Sequence, residues 1–516
     1  MHSHTIVFDM QNHYSSPPTT VDNPLTFTMH HALELEEVRT AIGQFLSPSA
    51  IIACASCCKE WYESFIPLIW QSLILRNGAF PLPELGTLMK NKDRIKHLTI
   101  SSCDAWEHME LKECRHLTRL TLTGFYHRTM HYDNWRMLVE NHQATLEHLT
   151  ISPTASIIAL SPEFGRAIAL CKRLQTLTLQ GPVVQALQAA AAFWSACLTI
   201  DKLHVKYTTL PIWNDTIVGT ARLTHLVVEG PMRGGDGLDL LLHCPKLQSL
   251  YWRSSEHITF PLKGFGAAMV AGSWPELEEL DLMGYEFGDL DLAAALEGMN
   301  RLTRLRAQST GFGPRSMEAL GKNASKIKTL DLVDCVDVTS SMIQTILSSM
   351  PQLTELSVGR IRYMDIVNGS PWVALNLEKL HFNIDMEPVV TLESKEEHEP
   401  FPNSPFDTHQ RLVFERLATL TRLRVLNLIP SSSYRNPYLY RTLQLQLDAG
   451  LGALSTLARL EFFGFKSNHQ KMGPEEIQWI IKTWPRLRKF RGQFSTDPEY
   501  FYSAKKLMNT HHILVL

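Results

Sequence analysis

Cys54-Ala-Ser-Cys57-Cys58 is the run whose residue types and spacing come nearest to a working site, because two cysteines three apart can exchange a disulfide or hold zinc. Zinc needs a second ligand pair, and none lies near in sequence, so these cysteines are expected to pack as small apolar side chains. Gly311-Phe-Gly313 has no further part of a dinucleotide fingerprint, and Gly321-Lys322-Asn323 lacks both the spacing and the hydroxyl that hold phosphate and magnesium. No Gly-x-Ser-x-Gly elbow and no His-Glu-x-x-His helix occurs. The 22 histidines are dispersed, and His30-His31 and His511-His512 lie in terminal segments without carboxylate or cysteine partners. No catalytic residue, cofactor or metal ligand is assigned, and an enzyme is not expected. The chemistry on offer is recognition. Tyr251, Arg253, Asp281, Arg304, Arg306 and Asp331 supply the aromatic, guanidinium and carboxylate groups that commonly anchor a protein partner.

What positions them is a short repeated phrase, an aliphatic residue followed three and five residues on by two more. Clear copies open at Leu117, Leu146, Leu174, Leu277, Ile327, Leu353 and Leu423. Weaker ones open at Ile95, Ile200, Leu223, Leu247, Leu302, Leu377, Leu457 and Leu487. Most intervals fall in the mid-twenties of residues, which fits one strand plus one helix per turn of a leucine-rich-repeat horseshoe, an α/β solenoid. Such stacks bind far more often than they catalyse.

Side chains alternate along a strand, so the aliphatic residues of each phrase point into the core and those between point out. The outward row opens with Thr99, Thr121, Thr150 and Thr178 and continues as His204, Val227, Tyr251, Asp281, Arg306, Asp331, Ser357 and His381, flanked by Lys206, Arg253, Glu279 and Arg304. Helical spacing places Met342, Ile343, Ile346, Leu347 and Met350 on one buried helix face, and Ile477, Ile480, Ile481 and Trp484 on another. Prolines at 245, 275, 351 and 485 stop the helices before the next strand. Val183 to Cys197 is expected to be a helix of small residues rather than a membrane span, since Gly181-Pro182 breaks the apolar run and Gln185 and Gln188 are polar.

Ahead of the phrases, Leu35, Val38, Ile42, Phe45 and Leu46 fall at helical spacing, and Ser47-Pro48 reads as an N-cap and first residue of a second helix carrying Ile51, Ile52 and Ala55. A third helix after Cys58 carries Trp61 and Phe65, with Pro67 to Trp70 just past it. The run Phe45-Leu-Ser-Pro-Ser-Ala-Ile51, then Cys57-Cys58-Lys59-Glu-Trp61 and Trp70, resembles an F-box over about forty residues, although Glu34-Leu35 stands where that family has Leu-Pro. An F-box ahead of leucine-rich repeats is how one class of ubiquitin-ligase substrate receptors is built. Leu330-Asp-Leu332-Val-Asp-Cys335 resembles its cysteine-containing repeat, and Cys114, Cys171 and Cys244 each stand three residues before a strand-opening leucine. The resemblance implies docking on a Skp-type adaptor, and through it a cullin, by Leu35, Val38, Ile42, Leu46, Pro48, Ile51, Ile52 and Trp61. A protein substrate would sit on the repeats. The competing reading is a repeat scaffold unconnected with ubiquitin.

The resulting division is an N-terminal disordered arm at 1–29, a helical F-box-like domain at 30–75, a linker and cap at 76–94, a solenoid at 95–508 and a tail at 509–516. An acidic, proline-bearing loop from Glu387 to Gln410 interrupts the solenoid, and Tyr434, Tyr438 and Tyr440 beside Arg435 and Arg441 mark a second long interval. A net charge of -3 gives no global attraction to nucleic acid or anionic membrane, and neither is expected as a partner. Nine cysteines without framework spacing and no apolar leader point to an intracellular place, cytoplasmic or nuclear.

Overall fold

The computed structural model describes residues 35–75, 84–101, 113–123, 132–152, 158–180, 183–185, 190–206, 219–229, 237–253, 262–284, 287–386, 405–429, 443–465, 470, 472–495 and 497–516. The arm at 1–29, the loop residues 387–404 and the tyrosines at 434, 438 and 440 lie outside them. The chain divides into two compact units, Met1–Leu223 with Val227–Gly235, and Thr224–Leu226 with Asp236–Leu516.

The first unit begins with three helices, α1 (Glu36–Gly43), α2 (Pro48–Ala55) and α3 (Lys59–Trp70). Ser47 caps α2, its Oγ accepting from the Ala50 N–H at 3.3 Å, and Pro48 takes the first position, where no amide is needed. Ile51, Ala55 and Phe65 form the small core, with Leu46, Cys54, Trp61, Leu68 and Ile69 packed against it. The third helix does not stop before Pro67 as expected but runs on to Trp70. Burial of Ile66 and Trp70 holds the turn that the proline weakens.

Parallel strands follow, and each phrase of this unit opens one. Leu98, Leu120, Leu149, Leu177 and Leu203 align from strand to strand and are buried throughout, while Thr99, Thr121, Thr150, Thr178 and His204 align on the outward side. Ser72–Leu75 also joins the ladder, paired with His97–Ile100, so the last residues of the expected helical domain belong to the sheet. No phrase marks this strand, but Leu73 and Leu75 alternate inward as the phrase residues do. Val183 to Cys197 is not one helix. Val183–Gln185 pairs with Ile158–Leu160 in a separate two-stranded sheet, and the helix spans only Ala190–Cys197.

In the second unit ten parallel strands run from Ser249–Arg253 to Leu514–Val515. Helices such as Asp289–Glu297, Ser340–Ser349 and Pro474–Thr483 bury the expected faces: Ile343, Ile346, Leu347 and Met350 in one, and Ile477, Ile480 and Trp484 in another, with Ile481 half-buried. Both Met350 and Trp484 leave helical geometry just before a proline, whose ring disfavours the helical conformation of the preceding residue. Cys244 is buried and donates its Sγ hydrogen to the Leu240 carbonyl at 3.2 Å, as Cys171 of the first unit does to Ala167 at 3.4 Å.

Three further boundaries, all in the second unit, differ from expectation. The phrase read at Leu457 is out of step by three, because Leu426 pairs with Phe463 and the strand is Phe462–Phe465. Leu457, Leu460 and Phe463 are equally spaced and all buried, and a short 3-10 helix, Leu451–Thr456, uses the first of them. The loop expected to reach Gln410 gives way at Pro405 to the helix Pro405–Ala418, where Gln410 is 1 % exposed and Val413, Phe414 and Leu417 are buried. Residues 509–516 are not a tail, since Leu514–Val515 pairs with Lys489–Arg491. Among the described residues no helix is long and apolar enough to cross a membrane.

Candidate interaction surfaces

Helix α1 rests on α3 through the side about a quarter-turn round from its apolar stripe, not through the stripe itself. Its buried residues are Arg39 and Gly43. A Cβ added at Gly43 would lie 2.3 Å from Leu68 Cδ1 and 2.7 Å from Phe65 Cε1, so only glycine lets α1 rest this closely on α3. Arg39 Nε donates to Ser64 Oγ at 2.8 Å, and that hydroxyl donates to the Glu60 carbonyl at 2.9 Å. With those residues inward, Leu35 is 55 % exposed, Ile42 39 % and Phe45 89 %, and Val38 is half-buried.

The eight residues assigned to adaptor docking therefore separate. Leu35, Val38 and Ile42 share the open face of α1. Ile51 is instead part of the core at 8 % exposure, and Leu46 and Trp61 pack against that core, the Trp61 ring centre 5.5 Å from that of Phe65. Ile52 is half-buried. The side chain of Pro48 lies outside the described residues. Phe45 and the exposed Tyr62 were not assigned, although Phe45 falls at helical spacing from Leu35, Val38 and Ile42. Core packing is also wrong for two of the cysteines. Cys54 packs on the core, but Cys57 and Cys58 are exposed in the turn between α2 and α3, where neither helix covers them. Among the described residues no group of three His, Cys, Asp or Glu could hold a metal.

The second surface is the outward row of the second unit. Tyr251, Asp281, Arg306 and Asp331 stand in register on four neighbouring strands, followed by Ser357 and His381. Arg304 sits two residues before Arg306, level with Glu279, and Arg253 lies level with Met283 and is exposed. Arg306 Nη1 approaches Asp281 Oδ2 at 3.6 Å, and Arg304 Nε approaches Glu279 Oε1 at 3.8 Å. Asp331 is held otherwise, accepting from Gln308 Nε2 at 2.6 Å and from the Val333 N–H at 3.2 Å.

Neighbouring strands screen this row from water, and the charges respond. Burial pushes the Asp281 carboxyl up to about 6, against the opposing pull of Arg306. Asp331 is likewise raised by burial, with the Gln308 hydrogen bond opposing, and His381 is lowered by burial. Arg306 Nε is buried and has no hydrogen-bond partner among the described residues. A half-buried guanidinium between two carboxylates, with an aromatic and further arginines beside it, can give a partner charge-assisted hydrogen bonds where water competes weakly.

One phrase, one parallel strand and, in most repeats, one helix define a leucine-rich-repeat solenoid. The sequence matches no family model and no curated protein. Among solved structures it is similar to the TLR13–ssRNA13 complex at 14% identity and a TM-score of 0.42, covering 77% of this chain and 55% of that one. It is similar to the yeast Rad7 and Elc1 complex at 14% identity and a TM-score of 0.38, covering 70% and 91%. For the Drosophila Toll–Spatzle complex the values are 15% and 0.39, covering 84% and 55%. The chain thus spans little more than half the length of the first and third, and all three likenesses are low in sequence and in superposition.

Proposed function

We propose that this chain is the non-catalytic substrate-recognition subunit of an SCF-type ubiquitin ligase, docking a Skp-type adaptor through its N-terminal helices and a target protein through the repeat ladder. The observation that carries the reading is the way α1 packs: it rests on α3 through Arg39 and Gly43, beside its apolar stripe, and leaves Leu35, Ile42 and, just past its end, Phe45 in water. Exposed apolar side chains grouped on one face mark a protein contact. Such a subunit raises the rate of ubiquitin transfer by holding the target near the charged enzyme, an effect of effective concentration. The competing reading, a scaffold unconnected with ubiquitin, keeps the ladder but gives the α1 face to another partner.

Titration of the full chain with a purified Skp-type adaptor tests this. Binding at micromolar concentration is expected, and Ile42→Asp should abolish it, since an unpaired charge desolvated at the contact costs several kcal/mol, on the order of a micromolar complex's margin. No binding by the unaltered chain would leave only the scaffold.

A further inference from the structure

Where the last strands of the second unit begin lies a basin of about 620 Å³ whose polar lining is Glu461, Arg486, Arg488, His511 and His512. Along this strand-entry edge acids and bases alternate. Arg301 lies 3.2 Å from Glu278, and Lys379 lies 2.6 Å from Glu355. Arg424 reaches Glu378 at 3.9 Å and grips both oxygens of Glu461 through Nε and Nη2 at 3.0 and 3.1 Å. Beyond Glu461 the alternation stops. Arg486 and Arg488 are both exposed and form no ion pair or side-chain hydrogen bond with a described residue; Glu461, the one carboxylate among the described lining residues, is gripped by Arg424 and feels these two arginines only as charges at longer range.

The histidines stand in a particular way. Helix Pro498–Thr510 closes with the Ile513 N–H donating to the Met508 carbonyl and the His512 N–H to that of Asn509, both at 3.0 Å, and His512 adopts φ 61°. This closure needs a left-handed residue, and glycine is usual there because it has no Cβ. Histidine keeps backbone strain in the wall of a cationic basin, as residues at binding sites often do.

We propose that this basin binds the phosphate of a phosphate monoester, with Arg486 and Arg488 as charge-assisted donors and the two imidazoles as further donors. Two guanidinium forks and two imidazoles offer more N–H groups than the two oxygens of a carboxylate can accept, whereas a phosphate monoester presents three terminal oxygens and about two negative charges. The site lies apart from the Tyr251–Asp331 row on the ladder and does not depend on the ligase reading.

Calorimetric titration of the full chain with inorganic phosphate, with end-blocked phosphoserine and with end-blocked serine, against chloride at matched ionic strength, tests it. Saturable binding is expected for the two phosphate probes and not for serine, and Arg486→Ala with Arg488→Ala should weaken it about tenfold or more. Equal affinity for both phosphate probes identifies a small free phosphate as the source, and about tenfold tighter binding of phosphoserine identifies a modified protein side chain. His512→Gly separates site from scaffold: it removes the strain, so the melting temperature should hold or rise while phosphate affinity falls. Absence of saturable binding, or unchanged affinity in either variant, overturns the proposal.

Discussion

The ladder presents two outward rows on the same backbone, and they carry different chemistry. In the first unit the row opens with Thr99, Thr121, Thr150 and Thr178, small and uncharged, before it reaches His204; in the second it is Tyr251, Asp281, Arg306 and Asp331, charged within the row itself. Both rows are half-buried and in register, and the inward leucines beneath them are equally buried. Threonine is what a strand surface favours when nothing else is asked of it, being β-branched and able to hydrogen-bond. Carboxylates under partial burial are not favoured by folding, as the raised Asp281 shows. The fold needs the inward positions and tolerates the outward ones, so a row that departs from the favourable choice is the one to test for a use.

The largest expected effect should make no distinction between the rows. Leu149→Ala beneath the threonines and Leu305→Ala beneath Arg304 and Arg306 each remove a fully buried side chain and should each destabilise by about 2–5 kcal/mol in denaturant unfolding. A cost near zero in one unit only would show that its core is not packed as described.

A smaller effect separates the rows by pH. The folded pKa of Asp281 lies at about 6, above the ordinary value of 3.8, so the folded state holds this proton more tightly than the unfolded one. Its charge therefore opposes folding above about pH 6, and that penalty is relieved as pH falls towards 4. Asp281→Asn should be more stable than the parent at pH 7 by on the order of 1–2 kcal/mol, discounted for partial exposure, with the advantage fading as pH falls from 6 and gone by about pH 4. Arg306 keeps the field of Asp331 in that variant. Thr150→Val, at the matching place in the first unit, should give a difference that does not vary with pH. A flat difference for Asp281→Asn across pH 4 to 7 would mean that it titrates alike in both states.

The smallest effect on stability should be the largest on binding. Replacing Tyr251, Arg253, Arg304 and Arg306 by alanine should change stability by no more than about 0.5 kcal/mol per site at the first three and by about 1 kcal/mol at Arg306, whose loss leaves Asp281 without its ion-pair partner, and should leave adaptor binding intact while weakening capture of the target protein. Alanine at Thr121, Thr150 and Thr178 should leave capture alone. If the threonine variant lost the target and the quadruple variant kept it, the roles of the two rows would be reversed.

Much of this was legible in the sequence, because strand burial alternates with period two and the phrase states that alternation residue by residue. The fifteen phrases lead to fifteen strands in the ladder, and the outward row emerges in the order read. Helix ends before proline follow for the same reason, as the constraint is local. The candidate sites were less legible. Helical spacing showed that α1 has an apolar face but not that the face looks outward, since that depends on Gly43 and Arg39 meeting α3.

What the sequence alone determined, then, is each element whose signal lies within a few residues: the inward leucines, the Ser47 cap and the stops at Pro351 and Pro485. Tertiary structure decided what needs a neighbour to choose. Leu457, Leu460 and Phe463 allowed two registers of equal quality, and pairing with Leu426 selected one. Ser72–Leu75 and Leu514–Val515 carry no phrase and became strands because an open ladder edge offered unsatisfied backbone groups. The environment of Asp281 was decided in the same way, by a strand on either side that no local pattern records.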